Sequence, residues 1–180
     1  MLGGSKLNDE LWYECVKFHG HECPGLAIGF RAALIAKEKM EVSFSQDEEI
    51  VCITENDACG VDAIQVITGC TLGKGNLILK NTGKMAFTFI NRKDGKALRL
   101  LLKGDNRQME RSERQQYILT GPKEELFKME WVNAIIPEKA RRFQTVVCQV
   151  CNEGAAENKI RLQEGKKVCL DCYMEYSRGW

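Results

Sequence analysis

Histidine is scarce in this sequence: 180 residues hold two, both inside the stretch Phe18-His19-Gly20-His21-Glu22-Cys23-Pro24-Gly25. No apolar run approaches the ~18 residues of a membrane helix. Met1 to Lys6 lacks the apolar centre of a secretory leader. A cytoplasmic protein with no membrane contact is therefore expected. Internal repeats, low-complexity tracts, iron–sulfur cysteine spacing, a pterin site and a dinucleotide fingerprint are all missing. In a reducing compartment the nine cysteines are expected as metal ligands, reactive thiols or small core residues rather than disulfides.

A nucleotide-binding phosphate loop is not expected either, although a glycine-rich loop with a lysine can still hold a carboxylate or phosphate in a backbone nest. Gly69-Cys70-Thr71-Leu72-Gly73-Lys74-Gly75-Asn76 has one residue too few between its glycines, Gly after Lys74 where Ser or Thr is needed, and a helix rather than a strand before it. Tight-turn architecture is the expected role.

Against this background the histidine stretch stands out. Histidine is the commonest metal ligand, and cysteine is a ligand or nucleophile once it is a thiolate. Pro24 suits the first position of a helix running to about Lys39, which puts Cys23 at the N-cap, where the helix end stabilises a thiolate. A bland reading stands beside this one, with Cys23 as a small buried residue and the histidines as turn residues. Cys59 also falls at a helix start, ahead of Val61, Ile64 and Ile67 with Gly69 as the stop. His19, His21, Cys23 and Cys59 are thus the candidate ligands of a core site for zinc, nickel or iron. Side chains at 19, 21 and 23 share one side if that loop is extended. Cys23, His21, Cys59 and Asp62 are the candidate catalytic groups. Cys15, Cys52 and Cys70 read most simply as core residues.

The apolar fraction of 44% and charged fraction of 28% are those of a soluble globular protein with one sizeable core and a small appendage. Its net charge of +1 is uneven. Residues 1–90 carry 8 Lys and Arg against 12 Asp and Glu, and residues 91–128 carry 10 against 6, which suits an acidic layer packed on a basic one, within a chain or across a dimer.

In order, the chain predicts a helix from Asn8 or Asp9, the helix from Pro24, and a strand at Ile50–Thr54. A helix follows around residues 60–68, then strands at Leu77–Leu79, Met85–Asn91 and Ala97–Leu102 with an Asp94-Gly95 turn. Next come a helix from a Ser112/Gln115 capping box and another over Lys123 to about Trp131. This order gives an α+β core over residues 1–137. Residues 138–147 are charged and read as a linker.

The remainder holds Cys148-x2-Cys151-x17-Cys169-x2-Cys172, the spacing of a four-cysteine structural zinc site. Asn152 suits the left-handed turn after the first pair. A hairpin over 159–168 and a turn leading into a helix over 169–178 describe a small treble-clef-like finger over 148–180. With 5 Lys and Arg against 5 Asp and Glu it lacks the basic face of a nucleic-acid binder, which leaves a protein partner as the expected contact.

The stretches Phe18–Gly29 and Asn56–Asn76 resemble the signatures of the FmdE family, named for a component of formylmethanofuran dehydrogenase, and the cysteine module resembles the finger that some members add. The resemblance implies an intertwined α+β homodimer with a cleft lined by the His, Cys and Asp residues named above. It also implies an association with the molybdenum or tungsten enzyme that reduces carbon dioxide onto methanofuran, without the molybdopterin-binding subunit itself. Two functions follow. One is a metal-dependent catalytic or auxiliary protein of one-carbon or redox metabolism, an oxidoreductase subunit. The other is a regulatory or adaptor protein, with the core as metal sensor and the finger as contact module.

Overall fold

The computed structural model describes residues 3–104 and 108–179, with side chains from residue 8 onward. Met1 and Leu2, part of the stretch read for a leader, lie outside the described residues. The chain forms two compact units, 1–140 and 141–180. Residues 138–140 lie with the first and 141–147 with the second.

In the first unit, β1 (Ile50–Thr54), β2 (Leu77–Leu79), β3 (Ala86–Asn91), β4 (Ala97–Leu102) and β5 (Phe127–Val132) form a sheet in the order β2-β1-β3-β4-β5. Only β1 and β2 are parallel, joined through helix α3 (Gly60–Thr68). The other helices are α1 (Gly3–His19), α2 (Pro24–Met40), α4 (Arg111–Thr120) and the short α5 (Lys123–Leu126). This is the expected α+β class.

Helix α2 is the centre of the core. Pro24 opens it, Cys23 caps it by accepting the Leu26 N–H at 3.3 Å, and Glu41 ends it in the left-handed region with φ 53°. Eleven of its 17 residues are buried, so it is covered by α1, α3, α4 and one sheet face. Period-two alternation sends Ile50 and Cys52 into that main core, while Val51 packs with Ile90 and Ala97 in a smaller cluster. Trp12 meets Phe30 edge-on at 5.3 Å, joining α1 to α2.

The Gly69–Asn76 loop is architectural. Buried Asn76 donates to the Ile50 and Asp47 carbonyls at 2.9 and 3.1 Å and accepts from Thr71 N–H at 2.9 Å. Lys74 donates to the Ser45 carbonyl at 2.7 Å. Both therefore tie the loop to residues 45–50.

Three expectations differ. Helix α1 starts at Gly3, so Asn8 and Asp9 lie inside it. The second half of the helix expected over Lys123–Trp131 is a strand, because Phe127, Met129 and Trp131 alternate against Leu102, Leu100 and Leu98 of β4. Helix α4 is preceded by Glu110 without a side-chain cap, and Gln115 instead donates to Glu22 at 2.9 Å.

The chain leaves this unit under restraint. Arg92 donates to the Pro137 carbonyl at 2.5 Å and the Glu138 carbonyl at 3.3 Å, and pairs with Glu48 at 3.3 Å. Glu48 accepts the Ala140 N–H at 3.1 Å.

The second unit has two hairpins, β6 (Thr145–Val147) with β7 (Gly154–Ala156) and β8 (Ile160–Gln163) with β9 (Lys166–Cys169). Asn152 is left-handed with φ 63°, and Glu164-Gly165 makes the second turn with φ 51° and 76°. The helix expected after Cys169 is absent among the described residues. Gln163 occupies the Met174 backbone instead, accepting its N–H at 3.1 Å and donating to its carbonyl at 3.0 Å. Among the described residues no helix is long and apolar enough to cross a membrane.

Candidate metal centre

His19 is the last residue of α1, and Gly20, at φ 92°, turns the chain back with its N–H on the Val16 carbonyl. The loop is therefore not extended from 19 to 23. A helix end, a left-handed glycine and an extended N-cap residue bring His19, His21 and Cys23 together, with one ligand atom from each lying within 4.8 Å of the others. The two imidazoles lie 4.5 Å apart between ring centres.

Asp62, from the first turn of α3, accepts from His19 Nδ1 at 2.7 Å. That bond fixes the tautomer and leaves Nε2, 3.9 Å from Cys23 Sγ, as the free lone pair. A carboxylate behind a histidine is the usual outer support of a metal ligand, because it orients the ring and raises its basicity. Two imidazoles and a thiolate suit zinc, nickel or iron and leave a coordination position for solvent or substrate. Sequence alone offers Asp62 as an acid or base near the site. Its role as an orienter depends on a contact across 43 residues, which no local pattern announces.

Cys59 does not join the three. It precedes α3 in helical conformation and caps nothing. Its thiol is pushed up by burial and by its hydrogen bond to Cys23. The two cysteines meet because α2 and α3 cross at Gly29 and Gly60, where a Cβ on Gly29 would stand 1.9 Å from the Gly60 carbonyl oxygen. Beside the cluster a cleft of ≈ 390 Å³ opens at the carboxyl ends of β1 and β2. His19, Cys59, Asp57 and Asp62 line it with an apolar wall that includes Leu72 and Leu77, and among the described residues no Lys or Arg lines it.

The remaining core cysteines are fully buried. Burial pushes Cys15 up to about 12, Cys52 well above its usual range, and Cys70 to about 11.

In the second unit, Cys148, Cys151, Cys169 and Cys172 place their sulfurs within 4.8 Å of one another. Backbone N–H groups of Cys151, Cys169 and Val150 pull Cys148 down to about 6. Hydrogen bonding to the Cys169 and Cys151 sulfurs pushes Cys172 up to about 12. Four crowded thiols that leave no open position suit a structural zinc ion.

A family model described as FmdE, molybdenum formylmethanofuran dehydrogenase operon, matches residues 18–142. The chain belongs to the FmdE family. The FmdE core is followed by a match to the prokaryotic dksA/traR C4-type zinc finger over residues 141–178. A probable S-adenosyl-L-methionine-binding protein of Archaeoglobus fulgidus is 34% identical over 204 residues, covering 96% of this chain and 54% of that protein. This FmdE chain thus spans about half the length of that curated relative. A crystal structure of a tungsten formylmethanofuran dehydrogenase FmdE-like protein from Syntrophus aciditrophicus superimposes with a TM-score of 0.67 at 24% identity, covering 92% of this chain and 91% of that one. That likeness speaks to the fold of this FmdE protein. Family and finger together make it a metal-binding protein.

Proposed function

We propose that the core is a metal-dependent catalytic or auxiliary subunit of one-carbon or redox metabolism. In this reading His19, His21 and Cys23 hold one zinc, nickel or iron ion, Asp62 orients His19, and the cleft admits the substrate. The supporting observation is the convergence of the three ligand atoms, with Asp62 behind His19. The protein acts in the cytoplasm as a homodimer of the core, and the finger contacts a protein partner. Two metal ions per chain are expected by elemental analysis of the full-length protein purified anaerobically. Cys23→Ala and His21→Ala should each lose one of the two. Asp62→Asn should keep both at saturation but weaken the second site by about 10- to 100-fold. If Cys23→Ala and His21→Ala both retain the parent's metal content, the core reading fails.

A second reading comes from the Archaeoglobus relative, a probable S-adenosyl-L-methionine-binding protein. The cleft has Asp57 and Asp62 on its wall beside apolar Leu72 and Leu77 and no basic lining residue, a combination that suits a cationic ligand with an apolar body. S-adenosyl-L-methionine carries a sulfonium and an ammonium group and fits that description. Titration calorimetry on the full chain should then show micromolar binding that weakens about tenfold in Asp57→Asn. No binding up to about 1 mM ligand would remove this reading. The adaptor reading rests on apolar side chains that the finger leaves exposed, Leu162, Met174 and Tyr176 among them.

A further inference from the structure

We propose that Cys23 and Cys59 form a reversible covalent modification site, a dithiol that a peroxide converts to a disulfide and that thereby competes with metal for Cys23. The disulfide stands on geometry alone, and only the competition rests on the metal reading above.

The two residues precede adjacent helices, Cys23 ahead of α2 and Cys59 ahead of α3. Their sulfurs flank one small space over Gly25, where an added Cβ would lie 3.8 Å from Cys23 Sγ and 3.6 Å from Cys59 Sγ. A glycine at 25 keeps that space clear. The backbone contact between Gly29 of α2 and Gly60, the residue after Cys59, pins the two helices beside the thiols, so the thiols are held as neighbours rather than meeting by chance. Cys59 lines the solvent cleft, which gives a small oxidant a route to the pair. Cys23 lies behind Cys59 and is 4% exposed, whereas Cys15, Cys52 and Cys70 are 0% exposed.

The chemistry uses groups already in place. Cys23 Sγ attacks one peroxide oxygen, so an S–O bond forms and the O–O bond breaks. His19, whose Nε2 is 3.9 Å away, relays the thiol proton to the departing oxygen. With hydrogen peroxide that oxygen leaves as water and Cys23 becomes a sulfenic acid. Cys59 Sγ then attacks the Cys23 sulfur, the S–S bond forms as the S–O bond breaks, and the Cys59 proton departs with the hydroxyl as a second water. Two electrons pass from the thiol pair to the peroxide, and a dithiol restores the pair by exchange while becoming a disulfide itself. In the oxidised form Cys23 has no thiolate to offer a metal.

The test is peptide mapping of the full-length protein, made metal-free, exposed to hydrogen peroxide and then alkylated. Trypsin releases residues 18–31, whose one cysteine is Cys23, and residues 40–74, which hold Cys52, Cys59 and Cys70. A cross-link between these two peptides is expected in protein that runs as a single chain on a non-reducing denaturing gel. It should disappear with dithiothreitol and in Cys59→Ser, and persist in Cys70→Ser. Overoxidised Cys23 with Cys59 still alkylated overturns the site, and so does a cross-link that survives in Cys59→Ser. Protein preloaded with zinc should cross-link at least tenfold more slowly. Equal rates with and without zinc overturn the competition and count against Cys23 as a ligand, whereas a missing cross-link with normal metal content overturns the disulfide and leaves the metal reading intact.

Discussion

Replacing Cys148 or Cys169 by Ser in the full-length protein is expected to remove one zinc ion per chain and unfold residues 145–169 while the core stays folded. The finger's hairpins are three or four residues per strand, and among its described apolar side chains only Val168 and Cys148 are fully buried. Such a module cannot offset the entropy of ordering its own chain by apolar burial. The metal has to supply the difference, and zinc binding to finger peptides is worth about 10–16 kcal/mol at neutral pH. Native mass spectrometry reads the zinc, and hydrogen exchange reads the unfolding. Amides of β6 to β9 should lose protection while those of β1, β3 and β4 keep theirs. An unchanged zinc content in Cys169→Ser would defeat the assignment. Acidification should release the same zinc, because each thiolate regains a proton.

Gly29→Ala should be the most damaging single substitution in the core, about 3 kcal/mol or more. Overpacking usually costs about 1–3 kcal/mol because side chains can rotate away. Here the atoms in the way are the Gly60 carbonyl oxygen at 1.9 Å and its carbon at 2.4 Å, and backbone has no rotamer to change. The two helices would have to part, uncovering the main core and moving Cys59 away from Cys23. A fall in melting temperature of about 10 °C is expected by circular dichroism. Gly73→Ala is the control, since nothing lies within 4 Å of its added Cβ, and it should change stability by less than about 0.5 kcal/mol. Similar melting temperatures for the two variants would mean that the helix crossing is not as close as described.

The sequence is most readable where one local pattern decides the outcome. The β-branched run at Ile50–Thr54, the cap at Cys23 ahead of Pro24, the left-handed Asn152 and the paired cysteines of the finger all depend on a few adjacent residues. Lys123–Trp131 is harder, because its Glu and Lys content and its leading Leu126-Phe127 pair suit a helix as well as a strand. The free edge of β4 settles that choice, and it lies 25 or more residues away along the chain. The same limit hides the His19–Asp62 bond and the Gly29–Gly60 crossing, both long-range. It also explains why the sequence offers Cys59 as a fourth candidate ligand, although it lies against Cys23 rather than within the group of His19, His21 and Cys23. Two cysteines at helix starts look alike in sequence, and only the fold shows that Cys23 lies with the two histidines while Cys59 stands beside it.

The Arg92–Glu48 pair that holds residues 137–140 has a consequence for how this molecule can be divided. Both side chains are nearly withdrawn from water, 13% and 8% exposed, so neither charge tolerates losing its partners. A cut at Pro137, where the sequence places the end of the core, would strip away the Glu138 carbonyl and the Ala140 N–H and strand the two charges. A cut after Ala140 leaves every one of those bonds intact. The boundary at 140–141 is thus a place where the chain can be divided with the whole Arg92–Glu48 clasp retained on one side.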